Sequence, residues 1–227
     1  MSNPLTLPLP DRVTDWLKGK DGSTIREHSV AVDLPWLKEL LAAHELNCDF
    51  LGERISRGQL FTLAEEARDS ADRALDLLWN TLAWGADSTR QDVRADFPFI
   101  IEAVAAEPDR RAGDLMRAAE LAGDDPVGAF RTLNAGRSKI PRLGPAFFTK
   151  FLYFSGAGAP WHPSLIIDRF VAAELRHSGW AHPDPARFDE VDYGRYTELA
   201  HRWADEAEVP RIDLIELALF SLKGATA

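Results

Sequence analysis

The chemistry this chain could carry gathers around one acid and one base. Asp168 ends a stretch, Pro126 to Ile167, that contains no Asp or Glu, although the 227 residues hold 36 acids against 26 Lys and Arg, for a net charge of -10. That stretch carries Arg131, Arg137, Lys139, Arg142, Lys150 and His162. An acidic chain taken whole disfavours a polyanion partner, but an uninterrupted acid-free window can still supply one basic face. Lys150 stands among Phe147, Phe148, Phe151 and Tyr153. Apolar neighbours favour the neutral amine, which is a nucleophile. A carboxylate at Asp168 could stabilise a developing cation or activate a nucleophile. It could equally cap the helix that follows it.

The rest of the composition bounds the setting. Hydrophobic residues make up 45% and charged residues 27%, the balance of an ordinary soluble globular chain. No apolar run approaches the roughly 18 residues of a membrane span, so no membrane partner is expected. The first residues lack a basic segment followed by an apolar core, so no secretory signal is read and the cytoplasm is the expected location. The lone Cys48 excludes an internal disulfide and any site built on several thiolates, and it reads as a small core filler. The six histidines show no His-x-x-x-His pair, so no metal-ligand set is read from the side chains.

The elements that must position Asp168 and Lys150 are helices. Ala and Leu far outnumber Val and Ile, and no alternating run is long enough for a strand. Pro4, Pro8 and Pro10 predict an extended lead-in. Asp33 predicts a cap for a helix to about His44. Ser56 with Gln59, and Ser88 with Gln91, form capping-box patterns. A helix starting at Ser70 is predicted to run to Trp84 and stop at Gly85. Further helices are predicted from Asp109 to Gly123, from Pro126 (capped by Asp125) to about Gly136, from Ala146 to about Phe154, from Asp168 through Leu175, from Tyr193 to Ala204, and from Arg211 to Leu222. The expectation is a single all-α domain of roughly ten short helices. Residues 1-124 with 205-227 would form one lobe and 125-204 another, around a cleft.

Ile140-Pro141-Arg142-Leu143-Gly144 resembles the hairpin of the helix-hairpin-helix motif, usually written Leu-Pro-Gly-Val-Gly. Such a turn presents backbone N–H groups, beside a helix N-terminus, to a DNA phosphate. Gly144 would allow close approach and unusual dihedrals, and Arg142 stands where the family often has its first glycine. The glycine- and proline-rich loop 155–163 and then Asp168 follow. Together they look like the signature of the helix-hairpin-helix DNA glycosylases. The segments 143–154 and 165–171 are most similar to the 8-oxoguanine glycosylase-like branch. The missing cysteines set the chain apart from the iron–sulfur branch.

The resemblance implies an enzyme that flips a damaged or modified base out of duplex DNA and cleaves its N-glycosidic bond, 8-oxoguanine by default. Asp168 matches the family's catalytic aspartate. Bifunctional members carry a nucleophilic lysine two residues past the last hairpin glycine, which here is Ala146. Lys150 lies one turn further along the same helix face, about 6 Å of rise away. It is a displaced nucleophile with AP-lyase chemistry, a phosphate contact in an enzyme that uses water, or a solvated lysine. Lys139, Arg142, Leu143, Gly144, Arg137 and His162 are the expected DNA contacts. Trp79, Trp84 and Trp161 are candidates for an aromatic base pocket, with core packing as the alternative for the first two. No cofactor is required, though the resemblance implies a monovalent or divalent cation on hairpin carbonyls. A monomer associated with the nucleoid is expected. The alternatives are excision of a modified base from foreign DNA, such as that of a phage, a non-catalytic DNA-binding module, and a helical protein–protein adaptor.

Overall fold

The computed structural model describes residues 4–86, 94–181 and 184–222. The capping box expected at Ser88 and Gln91 lies outside them. The described residues form an all-α fold. Its helices are α1 (Asp11–Leu17), α2 (Gly22–Glu27), α3 (Leu34–Ala42), α4 (Arg57–Ala64), α5 (Ala71–Ala86), α6 (Phe97–Ala105), α7 (Pro108–Leu121), α8 (Pro126–Asn134), α9 (Pro145–Phe154), α10 (Arg169–His177), α11 (Glu190–Glu206) and α12 (Asp213–Leu222).

Several boundaries follow directly from the residues. The capping box at Ser56 is formed, with the Ser56 hydroxyl accepting from Gln59 N and the Gln59 side chain accepting from Ser56 N. Asp125 caps α8 by accepting from Gly128 N at 2.8 Å, and Pro126 takes the first position, where a missing N–H costs nothing. Asp33 precedes α3 without a side-chain cap bond.

Three expectations are corrected. The lead-in is not wholly extended: Pro4–Thr6 form a 3-10 turn and Asp11 opens α1, and beyond it Asp21 caps the unexpected α2 by accepting from Ser23 and Thr24 N. These helices have only six or seven residues, too short to show a helical period. A two-stranded antiparallel ladder, β1 (Ser29–Ala31) with β2 (Arg54–Ser56), pairs Val30 with Ile55. Three residues per strand are too few for alternation to register. Finally, α5 does not stop at Gly85 but continues to Ala86.

The centre of the molecule is α9, which packs against α4, α5, α7 and α8. Its Phe148, Phe151 and Phe154 are fully buried. Beneath it lies an ion pair. Arg57, at the start of α4, donates to both carboxylate oxygens of Glu216 in α12, at 2.6 and 3.2 Å, and to the Tyr153 hydroxyl at 3.0 Å. Both charged groups are fully buried. No helix among the described residues is long and apolar enough to cross a membrane.

Candidate active site

Gly144 caps α9 and Pro145 occupies its first turn, so the helix begins directly at the end of the connecting turn. A helical side chain points back toward the N-terminus of its own helix. The Lys150 stem does so, and its Nζ donates to the carbonyl of Ala146 at 2.7 Å. Nζ also donates to Asp168 Oδ2 at 3.2 Å. Both groups are nearly buried, with 7% and 12% of their side chains exposed. The amine is therefore delivered one turn back along the helix, toward position 146.

Asp168 reaches Lys150 from a buried extended segment, Leu165-Ile166-Ile167. Such a segment needs partners for its backbone polar groups. Side chains supply them. The Tyr193 hydroxyl accepts from Leu165 N and donates to Leu165 O, at 3.0 and 2.9 Å. Tyr196 donates to Ile166 O at 2.9 Å, and Thr149 accepts from Ile167 N at 3.1 Å. The carboxylate then divides its work. Oδ1 caps α10 by accepting from Phe170 and Val171 N at 3.0 and 3.2 Å, and Oδ2 holds Lys150. Burial pushes the Asp168 carboxyl up. The Lys150 charge and the two N–H donors outweigh burial and hold it below its ordinary value. Asp168 is thus ionised at neutral pH.

The pair lies in a pocket of about 250 Å³. Gly85, Asp96, Arg142, Phe147, Arg169 and Pro185 are among its walls. Arg142 and Arg169 are exposed at its mouth, as are Arg137 and Lys139 along the connecting turn. Arg142 adopts φ of +66, the left-handed conformation that a glycine would take without strain. Gly144, expected to need unusual dihedrals, has an ordinary φ of -82. A Cβ there would meet nothing within 4 Å, so the space beside it is open. Leu143 is buried and anchors the turn rather than facing outward.

Other expected residues lie elsewhere. His162 is not at the surface: its ring packs on Gly156, where a Cβ would come within 2.3 Å. Its Nε2 bonds the Leu152 carbonyl at 2.9 Å, and burial lowers it to about 4. The glycines of loop 155–163 serve this packing. Gly158, at φ of +77, likewise lets the Phe61 ring approach. None of the three tryptophans borders the pocket. Trp79 is fully buried and borders a separate groove of about 770 Å³ beside Cys48. Trp84 is buried against His28 and Phe154. Trp161 is 44% exposed and stacks on His201. The aromatic wall of the pocket is Phe147, whose ring lies 5.8 Å from Lys150 Nζ.

Sequence reasoning did not single out Gly85, Asp96, Arg169 or Phe99. Phe99 had a readable signal. Phe97, Ile100, Ile101 and Val104 form the buried stripe of α6, and Phe99 falls off it. It is 51% exposed, with the Arg142 guanidinium 5.4 Å above its ring. Arg142 also faces Asp96 at 3.7 Å.

A family model described as "Putative 8-oxoguanine DNA glycosylase OGG-like protein" matches residues 23–220. The chain belongs to this OGG-like family. The match spans α2 to α12 and so contains the whole pocket. No curated protein and no solved structure is significantly similar to the chain.

Proposed function

We propose that this OGG-like protein is a DNA glycosylase that takes one flipped base into the pocket at Lys150 and Asp168 and breaks its N-glycosidic bond. One observation carries the reading. A buried lysine–aspartate pair, 3.2 Å apart, lies in a 250 Å³ pocket with exposed arginines at its mouth. A solvated lysine or a simple helix cap would not need that burial. By family, 8-oxoguanine is the default base, and a modified base of foreign DNA is a variant. A DNA-binding module without chemistry has no use for the pair.

The ionised Asp168 would face the sugar and stabilise the oxocarbenium charge as the bond breaks. The bonding pair leaves with the base, and the Lys150 ammonium hands it a proton. The neutral amine then adds to C1′, and ring opening gives the imine that supports strand cleavage. In a monofunctional enzyme water adds instead. Arg137, Lys139, Arg142 and Arg169 would hold phosphates around the mouth of the pocket. Phe99, beside Arg142, would fill the gap left in the stack by the flipped base. A cation on the hairpin carbonyls would share those of Ile140 and Arg142, which already accept from Leu143 N and Gly144 N. The working unit would be a monomer in the cytoplasm, on the nucleoid.

The test is a panel of duplexes, each bearing one altered base: 8-oxoguanine, uracil, alkylated purines and bulky modified cytosines. Breaks revealed by hot alkali and absent with Asp168→Asn support excision and name the base. Breaks without alkali, with a borohydride-trapped adduct lost in Lys150→Ala, support the lysine nucleophile. A protein that binds these duplexes and leaves every base in place overturns the reading in favour of a binding module.

A further inference from the structure

Gly85 is costly where it stands. It lies inside α5, one residue before the end, and its φ is not positive, so no turn or left-handed conformation calls for glycine. Glycine favours a helix less than alanine does. The reason is on its other side. A Cβ at this position would stand 3.1 Å from Lys150 Cδ, 3.1 Å from Phe147 Cε1 and 3.3 Å from Phe147 Cδ1. Neither neighbour is free to give way. The end of the lysine is held at both Ala146 O and Asp168 Oδ2. The Phe147 ring lies edge-on against Phe97, centroids 5.6 Å apart.

We propose that Gly85 is a positioning residue: its bare Cα forms the groove along which the Lys150 stem runs back toward position 146. This rests on the reading of Lys150 as the nucleophile. A lysine one turn further along α9 reaches the pocket only because its carbons lie flat against α5. Any side chain at 85 lifts the stem and carries Nζ away from Asp168. The same bare surface seats the Phe147 ring, so one residue sets both the amine and the aromatic wall of the pocket. Gly85 therefore acts through Lys150 and touches no reacting atom by this argument.

The experiment uses Gly85→Ala and Gly85→Val in the full chain, with two readouts. The first is borohydride trapping on the duplex that the wild type cleaves. A misplacement near 1 Å costs about 100-fold in rate, so a shift of a few tenths predicts a loss of about fivefold in trapping rate for Gly85→Ala, and more for Gly85→Val, with KM unchanged. Gly85→Ala gains helix propensity but loosens the buried Lys150–Asp168 pair, so it should stay folded and melt within a few degrees of the wild type. The second readout needs no turnover: reductive methylation of Lys150, followed by mass spectrometry. The paired, buried amine should react slowly in the wild type and several-fold faster in both variants. Unchanged methylation in a folded Gly85→Val overturns the positioning role. Absence of any trapped imine in the wild type instead removes the nucleophile reading, and the methylation rates then decide the role of Gly85 alone.

Discussion

Replacing Asp168 by asparagine, serine and alanine separates the two jobs of its carboxylate. Oδ1 accepts two N–H bonds at the start of α10, while Oδ2 faces the Lys150 ammonium at 3.2 Å. Asparagine and serine are both good caps, whereas alanine forfeits about 1 kcal/mol. All three remove the charge. Breaking a buried pair from one side costs about 3–5 kcal/mol, because the surviving charge is left without its partner. Lys150 keeps its bond to Ala146 O, which places the cost at about 3 kcal/mol, the low end of that range. At 2–4 °C per kcal/mol for a chain of this size, asparagine and serine should melt roughly 6–12 °C below the wild type. Alanine should melt about 3 °C lower again. Combining Asp168→Asn with Lys150→Met removes both charges and should recover most of the loss. Single-turnover excision should behave differently. Removing a group aimed at transition-state charge costs about 100- to 1000-fold, and neither the cap nor the methionine restores it. Thermal melts and quenched-flow cleavage on the same samples make the comparison. Serine at 168 that keeps near wild-type excision, with the expected drop in melting temperature, would refute the catalytic role and leave Asp168 a cap and an ion pair.

Three further outcomes are expected. Arg142→Gly should be about 1 kcal/mol more stable than Arg142→Ala, because only glycine relieves the φ of +66, and both variants should lower the salt dependence of DNA binding by about one phosphate contact. His162 is neutral when folded and is lowered to about 4, so below its unfolded value near 6.5 the unfolded chain binds the extra proton. Stability is therefore complete above pH 6.5 and falls by about 3 kcal/mol toward pH 4; urea titrations should show a smaller fall for His162→Asn. Phe99→Ala should leave the melting temperature nearly unchanged, because the ring is 51% exposed, but should slow excision from duplex about tenfold relative to a bulged target that is already unstacked. Equal slowing on both targets would count against the stacking role.

The site was legible where chemistry and local sequence coincide. Asp125-Pro126 and Gly144-Pro145 mark helix starts by rules that act within four residues, and the helices begin there. The juxtaposition of Lys150 with Asp168 was legible only as a resemblance, because it needs the Tyr193, Tyr196 and Thr149 side chains to hold an extended segment from 18 to 30 residues away in sequence. His162 shows the opposite failure. Its place in a Gly/Pro loop suggested exposure, but the glycines are what let the chain fold down over it. The tryptophans misled because aromatic content says nothing of which cavity a ring borders. Phe147 forms the wall, and Gly85 was read only as a helix stop, because making room for a neighbour leaves no mark in the local sequence.

The buried pair of Arg57 and Glu216 joins positions 159 apart in the chain. During synthesis the guanidinium emerges long before its carboxylate, and it cannot be sealed from water until α12 arrives. By then the residues of α9 and α10 are already available. The two sides of the pocket at Lys150 and Asp168 can thus meet before the scaffold beneath them closes. Long-range pairings of this kind slow folding. The rate-limiting event is expected to be the docking of α12, and a refolding chain caught before it would expose an unpaired cation at its heart, a recognisable target for quality control.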